Sequence, residues 1–282
     1  MFAALLLATD GRAAVATTAN AFCRSSHVYW HDPSGTSLSR YGVSGSAIQT
    51  GAWLDGARQF VGEWAPVDFF TGGDGVVYAI DQVSGDLWWY SIGADGKVDH
   101  ATRVGTGWNK FAEVFAAEAG VIYGRRGNGD LLWFMHEGYW DGSASWANGG
   151  VGRKVGSGFA DVVSFPQMFS AGEGSIYTID SYTGDMLWWR HDGWLNGTAS
   201  WANGGRPKKV GTGWGPNYGL SRPAGMGGGH IYVSADGGRL LWFRHDGYRD
   251  GSSHWANNGY AKQVGSGFDG TVMGDPHACA GS

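Results

Sequence analysis

The sequence predicts an all-β protein: a five-bladed β-propeller of four-stranded blades, its ring closed by N- and C-terminal strands that share one blade. Three observations lead there. A short mark, V-G-x-(G)-[WF], recurs at Val61, Val104, Val155, Val210 and Val264, at spacings of 43, 51, 55 and 54 residues, which is the length of a propeller blade. Apolar and aromatic runs alternate with Gly, Asp and Asn turns, and nothing keeps a helical period. The last mark begins a unit too short to finish, "VGSGFDGTVMGDPHACAGS", while the chain opens with "HVYWHDPSGTSLSRYGVSG", which reads as the missing strands. Pairing the two removes both open ends of the row of sheets.

The expected blades are therefore 264–282 with about 24–60, then 61–103, 104–154, 155–209 and 210–263. Within each, the mark is expected at the start of the inner strand, where Trp108, Phe159, Trp214 and Phe268 would pack. Next come a β-rich run ("GVVYAID", "GVIYGRR", "GSIYTID", "GHIYVSA"), a tight turn ("SGD", "GNGD", "YTGD", "ADGG") and a second run ("LWWY", "LLWFMH", "MLWWRH", "LLWFRH"). Trp133, Trp188, Trp189 and Trp242 fall inside these runs and are expected in the core or between blades.

The 282 residues include 51 Gly and 16 Trp, with a net charge of -5. A mildly acidic surface repels phosphate backbones, so nucleic acid is not an expected partner. Residues 1–21 carry an apolar run, Phe2 to Ala8, and the small-x-small triplet Ala19-Asn20-Ala21, which read as a secretory signal peptide lacking its usual basic start. Residues 22–282 then form the propeller domain. On that reading the protein is expected to be secreted; no other run is long enough to span a bilayer, so membrane insertion is not expected, and the protein is expected to be a monomer. The two cysteines, Cys23 and Cys279, are expected to pair across the closed ring.

A polar aromatic loop ends three of the units. A pyranose offers a C–H patch and a rim of hydroxyls, so a site for it needs an aromatic face and a few short polar groups. The loops hold both. Unit three has His136, Glu137, Tyr139, Trp146 and Asn148; unit four has His191, Asp192, Trp194, Trp201 and Asn203; unit five has His245, Asp246, Tyr248, Trp255 and Asn257. Trp146, Trp201 and Trp255 could equally be wedges fixing one blade against the next. Each His-Asp or His-Glu pair stands alone on its blade, too few ligands for a tight metal site. No cofactor is expected.

The stretch "VGTGWNKFAEVFAAEAGVIYGRRGNGDLLW", Val104 to Trp133, together with the repeated segments Trp146 to Phe159, Trp201 to Trp214 and Trp255 to Phe268, resembles the tachylectin family of five-bladed propeller lectins. The resemblance covers nearly all of the chain after Cys23. It implies a rigid, non-catalytic ring that binds N-acetylated hexosamines, such as N-acetylglucosamine or N-acetylgalactosamine, in pockets between blades. Two units depart from the pattern. The first keeps Trp53 but has Leu54-Asp55 in place of Ala-Asn, and the second has His100 near the expected Trp and lacks the H-[DE]-G mark. Three good pockets are expected rather than five.

Two other classes stay open. A propeller can bind a protein through one face. A five-bladed glycosidase would gather acids at its central channel, where Asp68, Glu113 and Asp161 are the candidates. Nothing resembles a nucleophile triad.

Overall fold

The computed structural model describes residues 22–23, 25–32, 34, 37–44, 53–54, 59–63, 67–159, 168–276 and 278–280. The expected signal segment, Asp55 and Asp161 lie outside them. Five antiparallel four-stranded sheets form a ring. From the centre outward, blade two is Val67–Gly73, Val76–Asp81, Leu87–Ile92 and Val98–Gly105. Blade three is Glu113–Ala116, Val121–Arg125, Leu131–Met135 and Arg153–Gly156. Blade four is Met168–Ser170, Ser175–Ile179, Met186–Arg190 and Lys208–Gly211. Blade five is Ala224–Gly225, His230–Ala235, Arg239–Arg244 and Lys262–Ser266. None of the helical turns among the described residues is long and apolar enough to cross a membrane.

Blade one closes the ring. Its inner strand, Thr271–Met273, comes from the C-terminal end, and Ser26–His31, Ser37–Val43 and Gln59–Glu63 come from the N-terminal end. Tyr29 lies opposite Met273 in the shared ladder. A second join lies alongside: Phe22–Cys23 pairs with Cys279–Ala280, and Cys23 and Cys279 form a disulfide across 256 residues of chain.

The mark is not where the sequence suggested. Val61, Val104, Val155, Val210 and Val264 lie on the outermost strand of the preceding blade, so each mark ends a blade instead of opening one. The reason lies in the mark itself. Its Val is buried. A Cβ on Gly105 would stand 2.6 Å from the Trp108 indole nitrogen, and one on Gly156 would stand 2.9 Å from the Phe159 ring. The first Gly is thus bare because the aromatic folds back onto it. The second, Gly107 in blade two, has φ +70°, a left-handed turn that reverses the chain. The aromatic then pins to its own blade: the N–H of Trp108, Phe159, Trp214 and Phe268 donates to Gly85, Gly129, Gly184 and Gly238 respectively. The tail accordingly contributes one strand to blade one, and the head three.

Replacing Cys23 and Cys279 by Ser should lower unfolding free energy by about 2–5 kcal/mol with the far-ultraviolet spectrum unchanged. Urea titration measures it; an unaltered midpoint would mean that strand pairing alone holds the closure.

Candidate functional site at the blade seams

Each repeated loop folds back as a spur over the seam that separates its blade from the preceding one. The seam between blades three and four shows the parts. His191 is fully buried at the end of its strand, and its ring stacks on Trp201 at 4.7 Å and 29°. Its Nε2 lies 2.8 Å from the Thr198 carbonyl, which can only accept, so the proton sits on Nε2. Nδ1 then accepts from the Tyr123 hydroxyl of blade three at 2.8 Å. The Trp201 indole donates to the Val155 carbonyl, the mark of blade three, at 2.7 Å. From blade three, Trp133 donates in return to the Trp194 carbonyl at 2.6 Å.

The same set recurs twice. Between blades two and three, Tyr78 meets His136 at 2.7 Å, Trp146 donates to Val104, and Trp89 donates to Tyr139. Between blades four and five, Tyr177 meets His245 at 2.7 Å, Trp255 donates to Val210, and Trp188 donates to Tyr248. Trp133, Trp188 and Trp242 are buried, as expected of strand residues.

Burial pushes all three imidazoles below their ordinary range and holds them neutral. Burial likewise raises the partner phenols Tyr78, Tyr123 and Tyr177. With both nitrogens in use and no exposed surface, the histidines shape the seam from beneath. The asparagines also serve the backbone. Asn148, Asn203 and Asn257 sit at φ +55°, +54° and +52°, each followed by a second left-handed residue, a turn that Asn tolerates better than most side chains. Asn148 Nδ2 donates to the Val151 carbonyl, and Asn203 Nδ2 to that of Arg206.

The remaining predicted residues divide by exposure. Glu137, Asp192 and Asp246 are exposed, the latter two beside Arg190 and Arg244 at 3.3 and 2.6 Å. Tyr139, Trp194 and the three loop tryptophans are half-buried, whereas Tyr248 is buried. Each seam therefore presents the open part of an indole, a carboxylate and an exposed Asn turn. Sequence reasoning missed the tyrosines. They were visible as the repeated Tyr of "VVYAID", "VIYGRR" and "SIYTID", but their partners lie 58 to 68 residues away.

The two remaining seams lack this device among the described residues. In blade two Ile92 stands where the others have His: its N–H donates to Gly75 as His136 N–H donates to Gly120. Opposite it, Arg40 of blade one pairs with Tyr29 in the ladder position that Trp89 holds beside Tyr78, and its Nη2 donates to the Ala94 carbonyl. His100 is exposed on the outer strand opposite Ser91. In blade one Val43 replaces the His and bridges Trp53.

A second feature lies on the ring axis. Asp68, Gln82, Glu113 and Arg222 line a cavity of about 330 Å³ at one mouth of the central tunnel. Glu113 is buried. Its Oε1 accepts from Arg222 Nη2 at 3.0 Å and from the Met168 N–H at 2.9 Å, while Oε2 faces Arg125 Nε at 3.6 Å. Burial outweighs both guanidinium groups and pushes its carboxyl up to about 7. Cys23, His230 and Cys279 also cluster, but the disulfide leaves no thiolate for a metal.

A family model described as Tachylectin matches residues 31–273. The chain belongs to the tachylectin family. No curated protein matches the sequence. Among solved structures, the tachylectin chain is similar to one in a nidogen/laminin complex (10% identity, TM-score 0.47, 88% of this chain and 97% of that one). It is also similar to a calcium-binding protein, regucalcin, from Agrobacterium tumefaciens str. C58 (12% identity, TM-score 0.38, 81% and 73%).

Two outcomes follow from the buried groups. Tyr123→Phe should cost about 1–3 kcal/mol, since it strips the partner from a buried imidazole nitrogen; chemical denaturation reads it. The three seam histidines and His230, which burial lowers to about 3, have folded values below the unfolded 6.5. Their stability is thus complete above pH 6.5 and is lost as pH falls below it, by up to about 1.4 kcal/mol per pH unit for each His. Glu113 has the opposite sign: with an unfolded value of 4.5 and a folded value of about 7, it costs stability as pH rises between them. Urea midpoints from pH 7.5 to 4 should fall toward acid, more steeply in Glu113→Gln.

Proposed function

We propose that this tachylectin is a secreted, monomeric, non-catalytic lectin that recognises N-acetylated hexosamines at its three complete seams. The supporting observation is the threefold recurrence of one stitched geometry, in which a buried imidazole and two crossed indole hydrogen bonds hold a half-exposed tryptophan in a loop that also carries an exposed carboxylate. Such a wall suits the C–H face of a sugar, and the carboxylate and neighbouring backbone groups suit its hydroxyl and acetamido rim. N-acetylhexosamine, with N-acetylglucosamine and N-acetylgalactosamine as the two candidates, is carried over from the family resemblance. The disulfide supports export.

A few net hydrogen bonds of about 1 kcal/mol each make one seam weak, roughly millimolar to tens of micromolar. Three seams on one rigid ring act together on a glycan-coated surface and gain about 10²–10⁴ in avidity. The rigidity supplied by the stitches is what makes this gain available.

Retention on N-acetylglucosamine-agarose with elution by free N-acetylhexosamine is the expected result. Failure to bind any sugar would favour a protein-docking propeller. Asp192→Ala, at an exposed position, should weaken binding with stability changed by less than about 0.5 kcal/mol. Trp201→Ala should reduce both, because that indole also fastens Val155 and covers His191.

A further inference from the structure

We infer that the mouth of the central tunnel is a separate carbohydrate site, one per molecule, taking a single neutral pyranose against Asp68, Gln82, Glu113 and Arg222. The inference is independent of the seam reading. It begins with ladder register. Phe70 and Phe115 occupy equivalent places on the inner strands of blades two and three, opposite Tyr78 and Tyr123; Ala224 and Met273 occupy that place in blades five and one. Two residues earlier on each strand or its lead-in stand Asp68, Glu113, Arg222 and Thr271. Where the ring repeats itself elsewhere, here it places acid, acid, base and hydroxyl around one opening.

The opening has the size of a small ligand. A smaller cavity of about 70 Å³ adjoins it, lined by Phe70, Phe115, Met168 and Met273 among others, whereas the mouth holds about 330 Å³, at the lower end of small-molecule sites. Its charged lining is only loosely paired. Behind it, Glu113 Oε2 and Arg125 Nε form a buried ion pair at 3.6 Å, too long for a hydrogen bond, which leaves Asp68 and Arg222 as the exposed charges of the mouth. Arg222 reaches Glu113 from two blades away with its side chain still 41% exposed, and Gln82 Nε2 already orients Asp68 at 2.8 Å.

Charge selects the ligand class. An anion entering the mouth meets Asp68 and Glu113; a cation meets Arg222. A neutral polyol offends neither, since each hydroxyl donates to a carboxylate and accepts from a guanidinium. Phe69 and Phe111, both half-buried, offer apolar wall to the C–H face.

No tryptophan lines this cavity, whereas every complete seam is walled by them. The test uses that difference. Ligand-observed saturation-transfer NMR with N-acetylglucosamine, glucose, galactose and mannose, each alone, is compared with tryptophan fluorescence titrated with N-acetylglucosamine. For at least one sugar, Asp68→Ala and Arg222→Gln should each weaken NMR-detected binding tenfold or more, the loss of one charged hydrogen bond, with the fluorescence titration unchanged. Asp68 is exposed, so its variant keeps the test valid even if Arg222→Gln destabilises the fold. A signal that neither substitution weakens, or no signal from any of the four sugars, overturns the mouth site. Loss of the fluorescence response alone would remove the seam reading and leave this one standing.

Discussion

Closure of the ring is the constraint on which everything else rests, and three residues make it. Thr271–Met273 is a short edge to hang a propeller on, so the tail is fastened on several sides. Cys279 N–H donates to the Met226 carbonyl of blade five, Thr71 of blade two donates to the Gly274 carbonyl, and Ser26 of blade one donates to buried Asp275. The disulfide then ties the last described strand to the first. An open row would leave two sheet edges exposed and at least one seam with a single wall. Closed, every blade has a neighbour on each side, and a spur from one blade always has a partner to grip.

The spurs show how a polar loop can carry packing duty. A buried imidazole is costly unless both nitrogens are satisfied. Here a backbone carbonyl fixes the tautomer and a phenol from the preceding blade takes the other nitrogen, so the ring stays neutral at the centre of the seam. Its flat face then supports the indole. Where Ile92 or Val43 replaces the His, the tautomer logic disappears, and one of those seams relies on Arg40 instead.

Much of this was legible in the sequence. The period fixed blade number, the truncated last unit fixed closure, and the two cysteines followed from closure. The departures at "WLDG" and "IGADG" marked the two seams that lack the stitch. The period could not fix phase: Val-Gly-x-Gly-aromatic reads the same whether it ends one blade or starts the next, and only the fold-back of Trp108 onto Gly105 decides. Nor could it separate a polar residue that faces solvent from one that satisfies backbone. His191 and Asn203 carry the same chemistry in either role, and the deciding partners, Tyr123 and the left-handed turn, are three-dimensional facts.

The same geometry limits what a seam can offer. Trp201 spends its indole N–H on Val155 and part of its ring on His191. What remains is C–H contact, with little specificity of its own. Polar selection at a seam must then come from the exposed rim, and the rim carboxylate is a part that varies: Glu137 where the others have Asp. Residues that hold the blades together are repeated closely, and those free to meet a ligand are not. Stiffness is therefore common to all three seams, while discrimination is set locally at each, on side chains whose substitution leaves the stitch intact.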